Sequence, residues 1–93
     1  MRFDWDPEKE KSNLDKHGIS FGEAIELFSS GVDYLEVYDE GHSQEEDRFI
    51  AIGPVAGRIV LVAYSQRPED TIRVISARLA TRQEIQLYRE NQR

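Results

Sequence analysis

Residues Ile59-Val60-Leu61-Val62-Ala63-Tyr64 are apolar at every position. Successive side chains of a strand point to opposite faces, so a run without polar alternation is apolar both above and below. Such a strand belongs at the centre of a sheet that is covered on both sides. The rest of the 93-residue chain must supply its neighbouring strands and its covering helices. That length suits one domain, near the lower end of what sustains a hydrophobic core.

The flanking pattern provides these parts. Arg2 to Trp5 alternates, with Phe3 and Trp5 on one side, and reads as a short first strand. Asp6 can cap a helix whose first position suits Pro7, and Gly18 ends it. This helix is polar, with Leu14 as its main apolar contact, so it must lean on other elements. Ser20-Phe21-Gly22-Glu23 is a capping box that opens a second helix running to about Ser29, with Phe21, Ala24, Ile25 and Phe28 on one face. Strands are expected over Val32–Tyr38, Arg48–Gly53, the central run and Thr71–Ser76, with turns through Pro54–Gly57 and Gln66–Asp70. Thr81-Arg82-Gln83-Glu84 is a second capping box, opening a C-terminal helix that carries Ile85, Leu87 and Tyr88. The order β-α-α-β-β-β-β-α describes an α+β fold: two N-terminal helices packed on a meandering antiparallel sheet, with a C-terminal helix.

Composition removes several functions. There is no cysteine, hence no disulfide framework and no thiolate zinc site, and two histidines make a poor basis for a metal centre. No glycine-rich phosphate loop, nucleophile elbow or metal-binding helix motif is present, so neither a cofactor nor a metal is expected. No apolar stretch approaches the roughly 20 residues that span a bilayer. The opening Met-Arg-Phe-Asp-Trp-Asp-Pro lacks the apolar core of a signal peptide, and the chain is expected in the cytoplasm.

Charge is unevenly placed. The net charge is −6, yet residues 1–57 hold five Lys/Arg against fourteen Asp/Glu, while residues 58–93 hold seven arginines, no lysine and four acids. Arginine binds phosphate through a planar fork, so this asymmetry points to an anionic ligand. Arg73 and Arg78 flank the last strand, Arg48 opens another, and Arg67 sits in the turn after the central one. Arg73 and Arg78 are five positions apart, an odd spacing that puts them on opposite faces unless the strand ends near Ser76. We read the strand as ending there, with Arg78 in the turn before the last helix. Lys16 and His17 close the first helix, where its dipole favours cations, and they are candidates to hold a phosphate and to move a proton. The structural alternative for the arginines is edge protection and ion pairing with the acidic half. His42 reads as a solvated loop residue, Trp5 and Phe28 as core, and Tyr64 and Tyr88 as phenols within reach of a ligand.

The combination of these residues resembles the BrnT family. Phe3-Asp4-Trp5-Asp6-Pro7, Asn13 and Lys16-His17-Gly18-Ile19-Ser20-Phe21-Gly22-Glu23-Ala24 match its opening signature. Phe28, Asp39, His42, Glu46, Arg48, Ile52-Gly53, Tyr64 and Arg67 continue it. Arg73-Val74-Ile75-Ser76-Ala77-Arg78-Leu79-Ala80-Thr81 and Tyr88 close it. The resemblance implies a fold like that of the RelE-like ribonuclease toxins and a place in a bacterial type II toxin–antitoxin pair. It further implies metal-independent cleavage of RNA that inhibits translation, and neutralisation by a BrnA-like ribbon-helix-helix antitoxin. DNA would be met only through the complex with that antitoxin. The implied site is Arg48, Arg67, Arg73 and Arg78, joined by Lys16 and His17. One departure is visible: the family usually carries a lysine where this chain has Leu79. That loss of a cation, with the acidic net charge, keeps a second reading open, a non-catalytic module that binds the antitoxin and regulates its own operon.

Overall fold

The computed structural model describes residues 1–92. Strand β1 (Arg2–Asp4) leads into helix α1 (Pro7–His17) and two single-turn helices, α2 (Phe21–Ala24) and α3 (Glu26–Ser29). Strands β2 (Leu35–Tyr38), β3 (Arg48–Val55), β4 (Arg58–Arg67) and β5 (Thr71–Leu79) follow, and helix α4 (Arg82–Glu90) closes the chain. The local chemistry operates as the sequence indicates. Asp6 accepts from the Glu8 N–H with Pro7 in the first turn, and Gly18 ends α1 at φ 72°. Both capping boxes form, Ser20 with Glu23 and Thr81 with Glu84.

The five strands lie in the order β1-β5-β4-β3-β2, so the apolar run occupies the middle strand. Val60, Val62 and Tyr64 face one side of it, buried with Ile19 just before α2, Phe21 and Ala24 of α2 and Leu27 of α3. Leu61 faces the other side, packed with Ile52 and with Tyr88 of α4. Helices therefore cover both faces, but α4 covers only part of the second. Gly53 lets α3 approach β3 closely: a Cβ there would lie 2.7 Å from Leu27 Cδ1 and 2.9 Å from Tyr34 Cβ.

Four features depart from the sequence reading. The sheet is not purely an antiparallel meander, because β1 pairs with β5 in parallel. The second N-terminal helix is divided at Ile25, which ends α2 and precedes α3 without a side-chain cap. The strands differ in extent: β2 starts only at Leu35, and β3 runs through Pro54 to Val55. Pro54 is tolerated because β2 pairs with β3 only as far as Ile52, so beyond that point β3 is an edge. Finally, β5 does not end near Ser76 but continues to Leu79, which places Arg78 in the strand.

The last difference has a local cause. Tyr64 pairs with Val74 and Ala63 with Ser76, leaving Ile75 as an extra residue in β5. This bulge shifts the alternation by one. Beyond β1, the open edge of β5 is met by a side chain. Asn13 of α1, itself buried, donates from Nδ2 to the carbonyls of Ala77 (2.8 Å) and Ile19 (2.9 Å) and accepts from the Ala77 N–H (3.1 Å). One amide thus replaces a neighbouring strand at Ala77 and fixes α1 against the sheet.

Candidate functional site

Directly paired residues of neighbouring strands share a face, and residues two apart along a strand share it again. Ser65 of β4 pairs with Arg48 on one side and Arg73 on the other. Arg73 in turn pairs with Asp4 of β1. A row Arg48–Ser65–Arg73–Asp4 therefore crosses four strands on one face. Arg67 lies two residues beyond Ser65, on the same face. Arg78 pairs with Leu61, four residues before Ser65, so it too shares that face. The Ile75 bulge is what brings Arg73 and Arg78 to the same side.

This is the face that α4 leaves partly open. Arg78 lies at the α4 end, roughly 13 Å along the strand direction from the Arg48–Arg73 row. Ala63 and Ser76, paired with one another, form the small-residue floor between them.

The arginines differ in their partners. Arg78 binds Glu84 through both nitrogens, at 2.8 and 2.9 Å, and Glu84 also accepts from the Thr81 N–H at 2.8 Å in the capping box of α4. Hydrogen bonding from Arg78 pulls the Glu84 carboxyl from its ordinary value near 4.5 down to about 2, against the opposing effect of burial. Arg73 pairs with Asp4 at 3.1 Å and Arg67 with Glu46 at 3.2 Å. Side chains in these two pairs are between 34 and 52% exposed, so each pair contributes only about 0.2–1 kcal/mol and can yield to a phosphate. Arg48 is different: its Nε is buried with no hydrogen-bond partner among the described residues. It borders a cavity of about 220 Å³ shared with His42, Gln44, Glu45 and Glu46. A buried donor left unmade costs about 1–3 kcal/mol, so this guanidinium is set for an acceptor.

Because the Glu84 carboxyl is held low in the folded chain, its ion pair with Arg78 stabilises the fold fully above pH 4.5. That contribution disappears as pH falls from 4.5 towards 2. Glu84→Gln should therefore lower Tm near neutral pH, with the gap to wild type closing over that acid window in a thermal melt series.

Lys16 and His17 do not line the arginine face. They lie in a groove of about 200 Å³ with Lys9, Ser12, Asn13, Ile75 and Ser76, on the α1 side of the β5 edge. His42 is bonded to Asp39 at 2.9 Å in an exposed turn. Trp5 packs on Phe21 and Phe28 on Tyr64, as core residues do. Neither tyrosine faces the open row. Tyr64 lies on the opposite side of the sheet, where its hydroxyl donates to Glu36 and where burial, with that carboxylate, pushes its phenol up. The Tyr88 hydroxyl donates to the Asp33 carbonyl at 3.4 Å. Sequence reasoning missed Ser65, the fully buried polar residue between Arg48 and Arg73. Its signal was present, as the first polar residue after the apolar run.

No helix among the described residues is long and apolar enough to cross a membrane. No curated protein matches the chain. Residues 5–84 match the family model described as the ribonuclease toxin BrnT of type II toxin–antitoxin systems. Among solved structures, the crystal structure of the ribonuclease toxin BrnT from Brucella abortus is similar, with a TM-score of 0.68 and 28% sequence identity. The match covers 88% of this chain and 99% of that one. With a family match over most of its length and an agreeing fold, the chain belongs to the BrnT family of ribonuclease toxins of type II toxin–antitoxin systems.

Proposed function

We propose that the open half of the arginine face receives an RNA phosphodiester and cleaves it without a metal ion, as a RelE-like endoribonuclease acting in the cytoplasm. The observation that carries this reading is the Arg48–Ser65–Arg73 row, in which Arg48 holds an unsatisfied buried donor. The ribose 2′-oxygen attacks the adjacent phosphorus and gives up its proton. The bond from phosphorus to the 5′-oxygen breaks, and that oxygen takes a proton. The products are a 2′,3′-cyclic phosphate and a free 5′-hydroxyl. Arg48, Arg67 and Arg73 neutralise the phosphorane, whose charge exceeds that of the substrate, so their forks act mainly in the transition state. Arg78, bound to Glu84, fixes α4 at the border of the face. Lys16 and His17 lie outside this face, beside Ser76 at the edge of the same strand, so the protons are exchanged with water. Translation stops as its RNA is cut. A BrnA-like ribbon-helix-helix antitoxin neutralises the toxin, and DNA is contacted only through that complex.

A second reading is favoured by a specific observation. Three of the four arginines have carboxylate partners, and Leu79, beside Arg78, is 49% exposed where a cation is usual. These features suit a non-catalytic module that binds the antitoxin and regulates transcription. Induction in growing cells, with the purified chain incubated with RNA in EDTA, separates the two. Growth arrest and fragments ending in cyclic phosphate are expected. Normal growth and intact RNA, with antitoxin binding retained, would establish the second reading.

A further inference from the structure

Lys9, Ser12, Lys16 and His17 recur at helical spacing along α1 and line one groove with Ile75 and Ser76 of β5. Lys9 and Lys16 are seven residues apart, two turns, or roughly 10 Å along the axis. Among the described residues, neither lysine nor His17 pairs with a carboxylate, whereas Arg67, Arg73 and Arg78 all do. The acids of α1 are turned elsewhere. Glu8 and Asp15 line the adjoining groove on the other side of Ser12 and Lys16, and Glu10 is occupied by the Trp5 indole and by the backbone N–H groups of Phe21 and Gly22. The groove is thus lined by two lysines, an imidazole, an amide and two hydroxyls beside Ile75, with no carboxylate in its own wall, in a chain of net charge −6.

Ser76 joins this groove to the arginine face. It pairs with Ala63, midway between the Ser65 and Leu61 positions that carry Arg73 and Arg78, so its side chain belongs to their face. It also lines the groove beside Lys16 and His17. Past β1, no strand covers this stretch of the β5 edge. A strand of nucleic acid lying on the arginines can therefore continue over the edge at Ser76 into the groove.

The geometry points to the α1 groove as a second phosphate-binding subsite, in which Lys9, Lys16 and His17 hold the RNA segment adjoining the one gripped by Arg48 and Arg73. This rests on the reading of the arginine face as the RNA site. Single-stranded RNA fits the groove because its backbone bends around a sheet edge and offers regularly spaced phosphates, which a duplex does not do there.

The test compares 2′-O-methyl RNA strands, which lack the attacking hydroxyl and survive intact. A trinucleotide fills only the arginine face, and a strand of about nine nucleotides also reaches the groove. Binding to the whole chain is measured by fluorescence anisotropy over a range of salt. Each phosphate contact on a single strand contributes about 0.7 to the log–log salt slope, so three added contacts steepen it by about 2 for the longer strand. Lys9 is exposed, so Lys9→Glu preserves the fold. It should flatten the longer strand's slope by about 0.7 or more, roughly a 2.6-fold loss of salt sensitivity over a fourfold salt range, and leave the trinucleotide unaffected. Failure of the trinucleotide to bind wild type would sink the arginine-face reading itself. Trinucleotide binding with no gain on lengthening, or equal weakening of both strands by Lys9→Glu, overturns the groove alone. Overturning it also would be a variant that keeps the length dependence and loses antitoxin affinity, since the groove then serves a protein partner.

Discussion

Arg73→Ala should abolish growth arrest on induction and slow single-turnover RNA cleavage by about 30- to 1000-fold. The magnitude follows from the position of the side chain. A fork aimed at charge that develops only in the transition state is worth about 2–4 kcal/mol, and each 1.36 kcal/mol is tenfold in rate. Arg73 lies in the same row as Arg48 and Ser65, and its one carboxylate contact among the described residues, to Asp4 at 3.1 Å, is half open to solvent. Removing that pair should move stability by no more than about 1 kcal/mol, so lost toxicity will not reflect lost folding. Arg73→Lys keeps the charge and loses the planar fork, and should recover only part of the rate. Full toxicity from a stably folded Arg73→Ala chain would remove this residue from the reaction.

Asn13→Ala should produce the largest loss of stability of any polar substitution proposed here, about 3–5 kcal/mol by denaturant titration. Three hydrogen bonds end on this amide, two to Ala77 and one to Ile19, in a buried setting. Alanine leaves an N–H and two carbonyls without partners, at about 1–3 kcal/mol for each buried group. A domain whose whole stability is about 5–15 kcal/mol has little margin for that loss. The effect on function should follow folding, because Asn13 also sets the distance between α1 and β5. A loss below about 1 kcal/mol would show that the β5 edge is closed by something other than this amide.

Features encoded by adjacent residues were legible in the sequence. The helix caps and the central position of β4 are of this kind: Ser20 with Glu23, Thr81 with Glu84, and the unbroken apolar run of residues 59–64 each carry their own explanation. Features that depend on distant pairing were not. β1 is three residues long, and nothing in Arg2–Asp4 says that its partner is β5 or that the pairing is parallel. The bulge at Ile75 has no glycine or proline to mark it, so a strict two-residue alternation separated Arg73 from Arg78 when the register unites them. Asn13 was visible only as one position in a resemblance, since its task is to satisfy a backbone 64 residues away. The candidate arginines were legible as a chemical type concentrated after Gly57, but their partners were not. Only coordinates distinguish Arg78, tied to a helix cap, from Arg48, which has a buried donor without a partner. Lys16 and His17 were read as one group with the arginines and occupy a separate groove across the β5 edge.

The reading as a whole depends on the phosphodiester meeting the Arg48–Ser65–Arg73 row. The most direct measurement is the arginine side-chain N–H spectrum of the isotopically labelled chain, titrated with a 2′-O-methyl RNA strand. The Arg48, Arg67 and Arg73 resonances should shift together and saturate at one concentration, with Arg58, paired to Glu23 on the other side of the sheet, unmoved. RNA binding that leaves Arg48 and Arg73 unshifted while other surfaces respond would contradict the account.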